Sequence, residues 1–151
     1  MTAINSELII DSNLLRKNIS YIKSRLQNES KFMAVIKSDA YGHNLESVTK
    51  SIDDLVEGYG VVRINEAIKI RNLSKKKVLL MQGIYSQEEF ITAKKFNLDV
   101  VVHNHDQFKI FEENNYFKNL WFKVNTGMNR LGIEIDDSMD IYNEYLFDKK
   151  F

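Results

Sequence analysis

Lys37 is the first residue whose type and position suggest chemistry, because it directly follows the apolar run Phe32–Ile36. An apolar surrounding disfavours the charged form of an amine, and a neutral amine can attack a carbonyl to form a Schiff base. Tyr41 and His43 follow within six residues, on what we expect to be a loop. The same position also fits a lysine whose charged end extends from a strand into solvent.

A second group of polar residues lies at the end of the apolar run Leu120–Val124, which contains Lys123. Arg130 lies seven residues beyond that lysine, between two glycines. The planar guanidinium of arginine suits a carboxylate or a phosphate, and glycine lets the backbone approach a ligand closely. The alternative is a lysine paired with a neighbouring carboxylate and an arginine on a surface loop.

Five short apolar runs, rich in Val, Ile and Phe, predict strands that are buried on both faces. Their starts are 26, 20, 20 and 22 residues apart, and a further strand is predicted at the front of the chain, over Leu8–Asp11. The five runs are Phe32–Ile36, Gly58–Val62, Val78–Met81, Leu98–Val102 and Leu120–Val124.

Helical patterns lie between these runs. The first predicted helix, Asn13–Gln27, carries leucine and isoleucine on one face at helical spacing. Ser86 and Glu89 form a capping box, in which the serine accepts from the amide three residues on and the glutamate reaches back. Another helix is predicted to start within Asp136–Phe151. Predicted N-caps are Asp11 or Ser12, Asn44, Ser86 and Asn104.

The alternation of strands and helices predicts an α/β fold with a parallel sheet and right-handed crossovers. Two architectures fit this pattern, an open doubly wound sheet and a (β/α)8 barrel. Neither Gly-x-Gly-x-x-Gly nor a Walker A sequence is present, so nothing favours a nucleotide-binding open sheet. Ligands bind at the carboxyl ends of the strands in either architecture, and both lysines are predicted to lie there.

Composition excludes several classes of protein. Lys+Arg and Asp+Glu number 21 each, which argues against a nucleic-acid partner. The chain contains no cysteine, so disulfides, zinc–thiolate sites and iron–sulfur clusters are excluded. No apolar run is long enough to span a membrane, and no signal peptide is evident, so we expect a cytoplasmic protein without a membrane or metal partner.

The segments Ala34–His43 and Lys123–Gly132 together resemble the two signatures of the alanine racemase family. They occur in the family's order and at a plausible separation. The sequence between the two signatures is also similar to the family, at Gly58–Ala67, Val78–Gly83 and Val100–His103. The resemblance extends from about Ser6 to about Ile135.

The resemblance implies a pyridoxal 5'-phosphate enzyme that converts L-alanine to D-alanine for cell-wall precursors. It implies that Lys37 binds the cofactor as a Schiff base and moves the substrate α-proton. It also implies that Tyr41 binds the cofactor phosphate, and that Arg130 contacts the cofactor and the substrate carboxylate. Many family members carry the lysine matching Lys123 as a carbamate. We assign His43 no direct chemistry and expect it to be a hydrogen-bonded loop histidine.

Some positions depart from the family pattern. Asn125 occupies a position that is usually aspartate, which removes one charge partner from the loop. Asn44 stands where the first signature often has glycine, and Ser38 and Asp39 replace a commoner Ala-Asn pair. We expect none of these positions to be catalytic.

The length of the chain is the last constraint. A complete (β/α)8 barrel needs about 250 residues, so residues 1–151 are expected to be an incomplete N-terminal fragment of the cofactor-binding barrel, with about five barrel strands. The resemblance implies further strands and a C-terminal β domain, and a homodimer that shares its active site. The fragment alone is expected to be unstable or inactive. Two alternatives remain: another amino-acid racemase or aldolase on the same barrel, and a non-catalytic protein that binds the same cofactor.

Overall fold

The computed structural model describes residues 7–116 and 118–145. Five strands form one sheet: β1 (Met33–Val35), β2 (Gly58–Val61), β3 (Lys77–Leu80), β4 (Asp99–Val102) and β5 (Leu120–Phe122). The helices are α1 (Ser12–Lys23), the single turn α2 (Lys37–Tyr41), α3 (Leu45–Ile52), α4 (Ile64–Leu73), α5 (Gln87–Lys95), α6 (His105–Glu113) and α7 (Ile135–Tyr145). A short 3-10 turn, Asp53–Leu55, follows α3.

The order of the strands decides between the two predicted architectures. Every neighbouring pair is parallel, and the order in the sheet is β1-β2-β3-β4-β5. A doubly wound sheet reverses its strand order at a switch point, whereas a barrel adds each strand beside the previous one. The described strands show no reversal, which confirms the prediction of the N-terminal portion of a (β/α)8 barrel.

All five predicted central strands are present, but the predicted front strand is wrong. No strand forms among residues 8–11, and Ile9 is 78% exposed. An apolar run becomes a strand only where a neighbour accepts its backbone hydrogen bonds, and among the described strands β1 pairs with β2 alone. Asp11 instead caps α1, accepting from the amides of Asn13 and Leu14 at 2.8 and 3.0 Å.

The helix starts follow the predicted caps. Asn44 accepts from the amide of Ser47 at 2.9 Å, and Asn104 accepts from that of Gln107 at 2.9 Å. Ser86 accepts from the amide of Glu89 at 3.2 Å, but the Glu89 carboxylate reaches one residue further back than predicted, to the amide of Tyr85. The helix predicted to start within Asp136–Phe151 is α7, and the part of that segment after residue 145 lies outside the described residues.

The hydrophobic core lies between the sheet and its helices. Phe90 of α5 packs edge-to-face on Phe111 of α6 with ring centroids 5.4 Å apart, a geometry that adds about 0.5–1.5 kcal/mol beyond area burial. Tyr59 of β2 is fully buried, and its hydroxyl donates to Asp53 at 3.0 Å. Burial, together with the neighbouring Asp53 charge, raises the pKa of Tyr59, so the residue stays a neutral donor.

The opposite face of the sheet is less completely covered. Side chains alternate along a strand, and Ala34 of β1 is buried against the helices while Val35 is 38% exposed on the other face. Trp121 of β5 is 44% exposed in the same way. This face is the one that lines the interior of a barrel. None of the helices in the described part of the chain is long and apolar enough to cross a membrane.

Candidate active site at the carboxyl ends of the strands

Lys37 begins a backbone turn of unusual handedness at the end of β1. Ser38, Asp39, Ala40 and Tyr41 all have φ between 54° and 55°, so α2 is a turn of left-handed helix. Each non-glycine residue in that conformation costs roughly 1–2 kcal/mol. Tyr41, which the sequence placed on a loop, therefore belongs to an ordered and strained turn, and only His43 lies beyond it. Backbone strain of this kind persists only where the surrounding structure enforces it, and it is most frequent at functional sites.

Hydrogen bonds at both ends of the turn hold this conformation. The amide of Ala40, whose side chain is buried, donates to the Ile36 carbonyl at 2.9 Å. Gly42 ends the turn with φ +83°, and its amide donates to the Ser38 carbonyl at 3.0 Å. The Asp39 carboxylate accepts from the amide of Leu45 at 2.9 Å, which ties the turn to the first residue of α3. The result is a lysine on a rigid support.

The side chains of the turn are left available for a ligand. Lys37 is half-buried, and Tyr41 is 59% exposed beside a cleft of about 440 Å³. Among the described residues, neither the Lys37 amine nor the Tyr41 hydroxyl has a hydrogen-bond or ion-pair partner. His43 does have one, because its Nδ1 lies 2.9 Å from the Ala40 carbonyl oxygen. That contact agrees with the interpretation of His43 as a satisfied loop histidine.

Lys123 lies at the end of β5, on the strand that is farthest from β1 in the sheet. Its amide donates to the Val102 carbonyl at 3.0 Å, so the strand pairing continues past Phe122. Because side chains alternate along a paired strand, Lys123 falls on the same face as Trp121. Lys37 follows the carboxyl end of β1 and Lys123 follows that of β5, so both lysines lie at the same edge of the parallel sheet.

The loop after Lys123 closes on itself and carries Arg130. The amide of Asn125 donates to the Ile133 carbonyl at 2.7 Å, and the Ile133 amide donates to the Lys123 carbonyl at 2.9 Å. Gly132, with φ +127°, permits this closure, since a Cβ there would lie 2.6 Å from the Asn125 nitrogen. Arg130 itself is exposed, and it has no hydrogen-bond or ion-pair partner within residues 7–116 and 118–145.

Asn125 organises this loop through its side chain. Its Nδ2 donates to Asn129 Oδ1 and Glu134 Oε1, both at 2.9 Å. Its Oδ1 accepts from the amides of Gly127 and Asn129 at 3.1 and 3.0 Å. An aspartate could accept these two amides but could not donate to Glu134. Asparagine at position 125 removes a charge partner from the loop, but it adds a hydrogen-bond donor that holds the loop in place.

Sequence reasoning missed a buried polar network between these two groups. His103, directly after β4, has Nε2 3.1 Å from the Gln82 carbonyl oxygen, which also accepts from Gln107 Nε2 at 2.9 Å. The carbonyl can only accept, so the His103 ring carries its hydrogen on Nε2. Gly83, with φ +80°, makes room, because a Cβ there would lie 2.3 Å from Gln107 Nε2. A polar residue directly after a buried strand was the signal available in the sequence.

A cleft of about 520 Å³ opens at the carboxyl ends of β2 and β3. Arg63, Gln82, Tyr85 and Glu89 are among its lining residues. Burial, with a contribution from the neighbouring Glu89 charge, raises the pKa of the Tyr85 phenol. Neither Lys37 nor Lys123 lines this cleft, which lies between them along the same edge of the sheet.

Fold and site together define a barrel-type α/β protein with a lysine on a rigid turn at the end of its first strand. Known proteins refine that class. A family model described as "Alanine racemase, N-terminal domain" matches residues 10–149. The chain belongs to this family.

Individual relatives support the same family assignment. An alanine racemase of Mannheimia succiniciproducens is 37% identical over 140 residues, covering 91% of this chain and 39% of its own length. One from Haemophilus influenzae is 35% identical over 138 residues, covering 89% and 38%. The solved alanine racemase of Acinetobacter baumannii superposes with a TM-score of 0.81 at 28% identity, covering 89% of this chain and 41% of that one. The chain therefore spans about two fifths of the length of the proteins that it matches.

Proposed function

We propose that the protein containing this chain is an alanine racemase, which interconverts L-alanine and D-alanine and so supplies D-alanine for cell-wall precursors. The observation that carries the proposal is the Lys37 amine, which is unpaired within the described residues and is held at the carboxyl end of β1 by a strained turn. We further propose that residues 1–151 form the N-terminal part of its cofactor-binding barrel domain. The names and coverage of the matched relatives support both statements.

The residues at this edge of the sheet fit pyridoxal 5'-phosphate by the chemistry of their donors. An amine suits the cofactor's aldehyde, a phenol suits its phosphate, and a guanidinium suits an anionic oxygen or a carboxylate. We assign these roles to Lys37, Tyr41 and Arg130, in that order. When bound, the cofactor supplies an electron sink for negative charge on the substrate α-carbon.

Lys37 is also the proposed base on one face of the substrate. No carboxylate among the described residues forms an ion pair with Lys37, so its amine is available to a ligand. Racemisation needs a second base on the opposite face, because a proton removed from one side must be returned from the other. By resemblance to the family, we propose a tyrosine of a partner subunit in a homodimer with a shared active site.

Lys123 and Arg130 form the other half of the proposed site. Both are cations in their ordinary states, and they would repel one another near one pocket. We propose that Lys123 carries a carbamate, which would convert it to an anion and let it orient Arg130 toward the substrate carboxylate. Intact-mass measurement of the protein with and without bicarbonate tests this proposal, and a Lys123→Ala variant that keeps the added mass would contradict it.

Replacing Lys37 tests the proposed function directly. Lys37→Ala should abolish racemisation. It should also abolish covalent attachment of pyridoxal 5'-phosphate, which is trapped by borohydride reduction and measured by mass spectrometry of the tryptic peptide. Lys31→Ala, which changes an exposed lysine just before β1, should alter neither. Turnover of serine, lysine or threonine in preference to alanine would indicate another racemase or an aldolase. Attachment of the cofactor without any turnover would indicate a non-catalytic binding protein.

A further inference from the structure

Glu66 is a buried acidic residue that the proposed reaction leaves without a role. It lies in the first turn of α4, and it is 8% exposed. Its Oε1 accepts from the amide of Asp39 at 3.3 Å, and its Oε2 accepts from the amides of Val62 and Arg63 at 3.4 and 3.2 Å. These amides belong to two segments of chain, the turn that starts at Lys37 and the end of β2.

The chemistry of the three partners requires a carboxylate at this position. All three are N–H donors, so the group between them must accept on both of its oxygens. A glutamine would direct its NH2 group toward one set of donors. No lysine or arginine forms an ion pair with Glu66 in the part of the chain that the structure describes. Its described hydrogen-bond partners are all peptide N–H groups.

The contact with Asp39 is the one that reaches the proposed active site. Asp39 is the second residue after Lys37, and it is in the middle of the left-handed turn. The side chain of Asp39 fixes the far end of that turn through Leu45, while its amide is fixed by Glu66. Without an acceptor for this amide, the turn loses its hydrogen bond to α4 and can relax toward an ordinary loop.

We propose that Glu66 is a positioning residue for Lys37. It maintains the left-handed turn and thereby sets the direction from which the lysine amine approaches cofactor and substrate. This inference rests on the proposed function of Lys37, because positioning has a consequence only if the amine reacts. It assigns Glu66 no contact with either ligand.

Amide hydrogen exchange of the cofactor-free protein is the first test. Loss of a hydrogen bond to a charged acceptor should raise the exchange rate of the Asp39 amide by about tenfold or more in Glu66→Gln. Amides within β3 and β4 should not change. Glu57→Gln is the matched control, because Glu57 accepts from the Phe32 amide at 2.7 Å, at the opposite end of β1 from the Lys37 turn. The control should leave Asp39 unchanged.

Capture of the cofactor is the second test, on the full-length protein. In Glu66→Gln, the rate at which Lys37 becomes attached to added pyridoxal 5'-phosphate should fall about tenfold, and kcat should fall with KM for alanine nearly unchanged. Glu66→Asp keeps the carboxylate but shortens the side chain by one methylene. Its attachment rate and kcat should therefore lie between those of Glu66→Gln and the parent protein. It also replaces Glu66→Gln if that variant does not fold.

The outcomes separate this inference from the proposed function. Unchanged Asp39 exchange, or a lower melting temperature with normal cofactor attachment, would overturn the positioning role even if Lys37→Ala is inactive. Normal attachment and turnover in Lys37→Ala would overturn the proposed function itself. Faster exchange of the Asp39 amide, slower cofactor attachment and reduced kcat in the Glu66 variants, with none of these in Glu57→Gln, would establish the positioning role.

Discussion

Asn125 Nδ2 donates to Glu134 Oε1 at 2.9 Å, and this bond joins the two ends of the loop that carries Arg130, beside the backbone hydrogen bonds to Ile133. Asn125 follows the fifth strand, while Glu134 directly precedes α7. The amide of asparagine can serve a carboxylate as a donor and two backbone amides as an acceptor at once. The loop depends on that combination, which a carboxylate at position 125 cannot supply.

Asn125→Asp should therefore destabilise the loop by about 1–3 kcal/mol, because a donor is lost and two carboxylates face each other. Chemical denaturation of the variant and the parent protein measures the difference. Asn125→Asp combined with Glu134→Gln should recover most of the loss, and equal stability of the single variant and the parent would contradict the role of this bond.

Gly83 provides a test of close packing under the strand ends. An added Cβ would lie 2.3 Å from Gln107 Nε2 and 2.4 Å from the Val101 carbonyl oxygen, at φ +80°. Gly83→Ala should cost about 2–5 kcal/mol in the free energy of unfolding, from backbone strain and overpacking together. Gly42→Ala is the matched control, because Gly42 has φ +83° but no atom within 4 Å of the added Cβ. Its cost should be only about 1–2 kcal/mol, the backbone strain alone.

The ion pair between Arg16 and Asp54 should appear in the acid unfolding of the protein. Arg16 contacts both Asp54 oxygens, at 2.6 and 2.7 Å, and hydrogen bonding to Arg16 lowers the pKa of Asp54 from 3.8 to about 2. A carboxyl with a lowered pKa stabilises the fold above its unfolded pKa, and this contribution is lost as pH falls from about 4 to about 2. Melting temperatures measured across that range should fall less steeply for Asp54→Asn than for the parent protein.

Asp99 anchors the amino-terminal end of the sheet. Its Oδ2 accepts from Lys77 Nζ at 3.0 Å and from Trp121 Nε1 at 2.9 Å, and the carboxylate is almost fully buried. Asp99→Ala should cost about 1–3 kcal/mol, because the indole loses its acceptor. Trp121 is the chain's single tryptophan, so the emission maximum reports on this contact directly. Lys77→Met, which leaves the indole bond in place, should shift that maximum far less.

Much of the fold could be predicted because the signals are local. Apolar runs such as Val78–Met81 become strands wherever partners exist, and caps such as Asn104 act within four residues of chain. The prediction of a front strand over Leu8–Asp11 was wrong for the same reason, because a local apolar pattern contains no information about whether a neighbouring strand is present. The two lysine segments were also recognisable, because each is a continuous stretch of residues.

The amino-acid sequence by itself determined the strand–helix alternation, the helix starts and the family, all of which are encoded in short continuous segments. Tertiary structure alone decided the left-handed turn after Lys37 and the hydrogen bond from the Asp39 amide in that turn to the Glu66 carboxylate. It also showed that the Asn125 side chain, which removes a charge partner, forms the hydrogen bonds that hold the loop. These features depend on hydrogen bonds between backbone amides and side chains of segments that are brought together only by folding. Because no short sequence pattern encodes such contacts, they could not be predicted from the sequence alone.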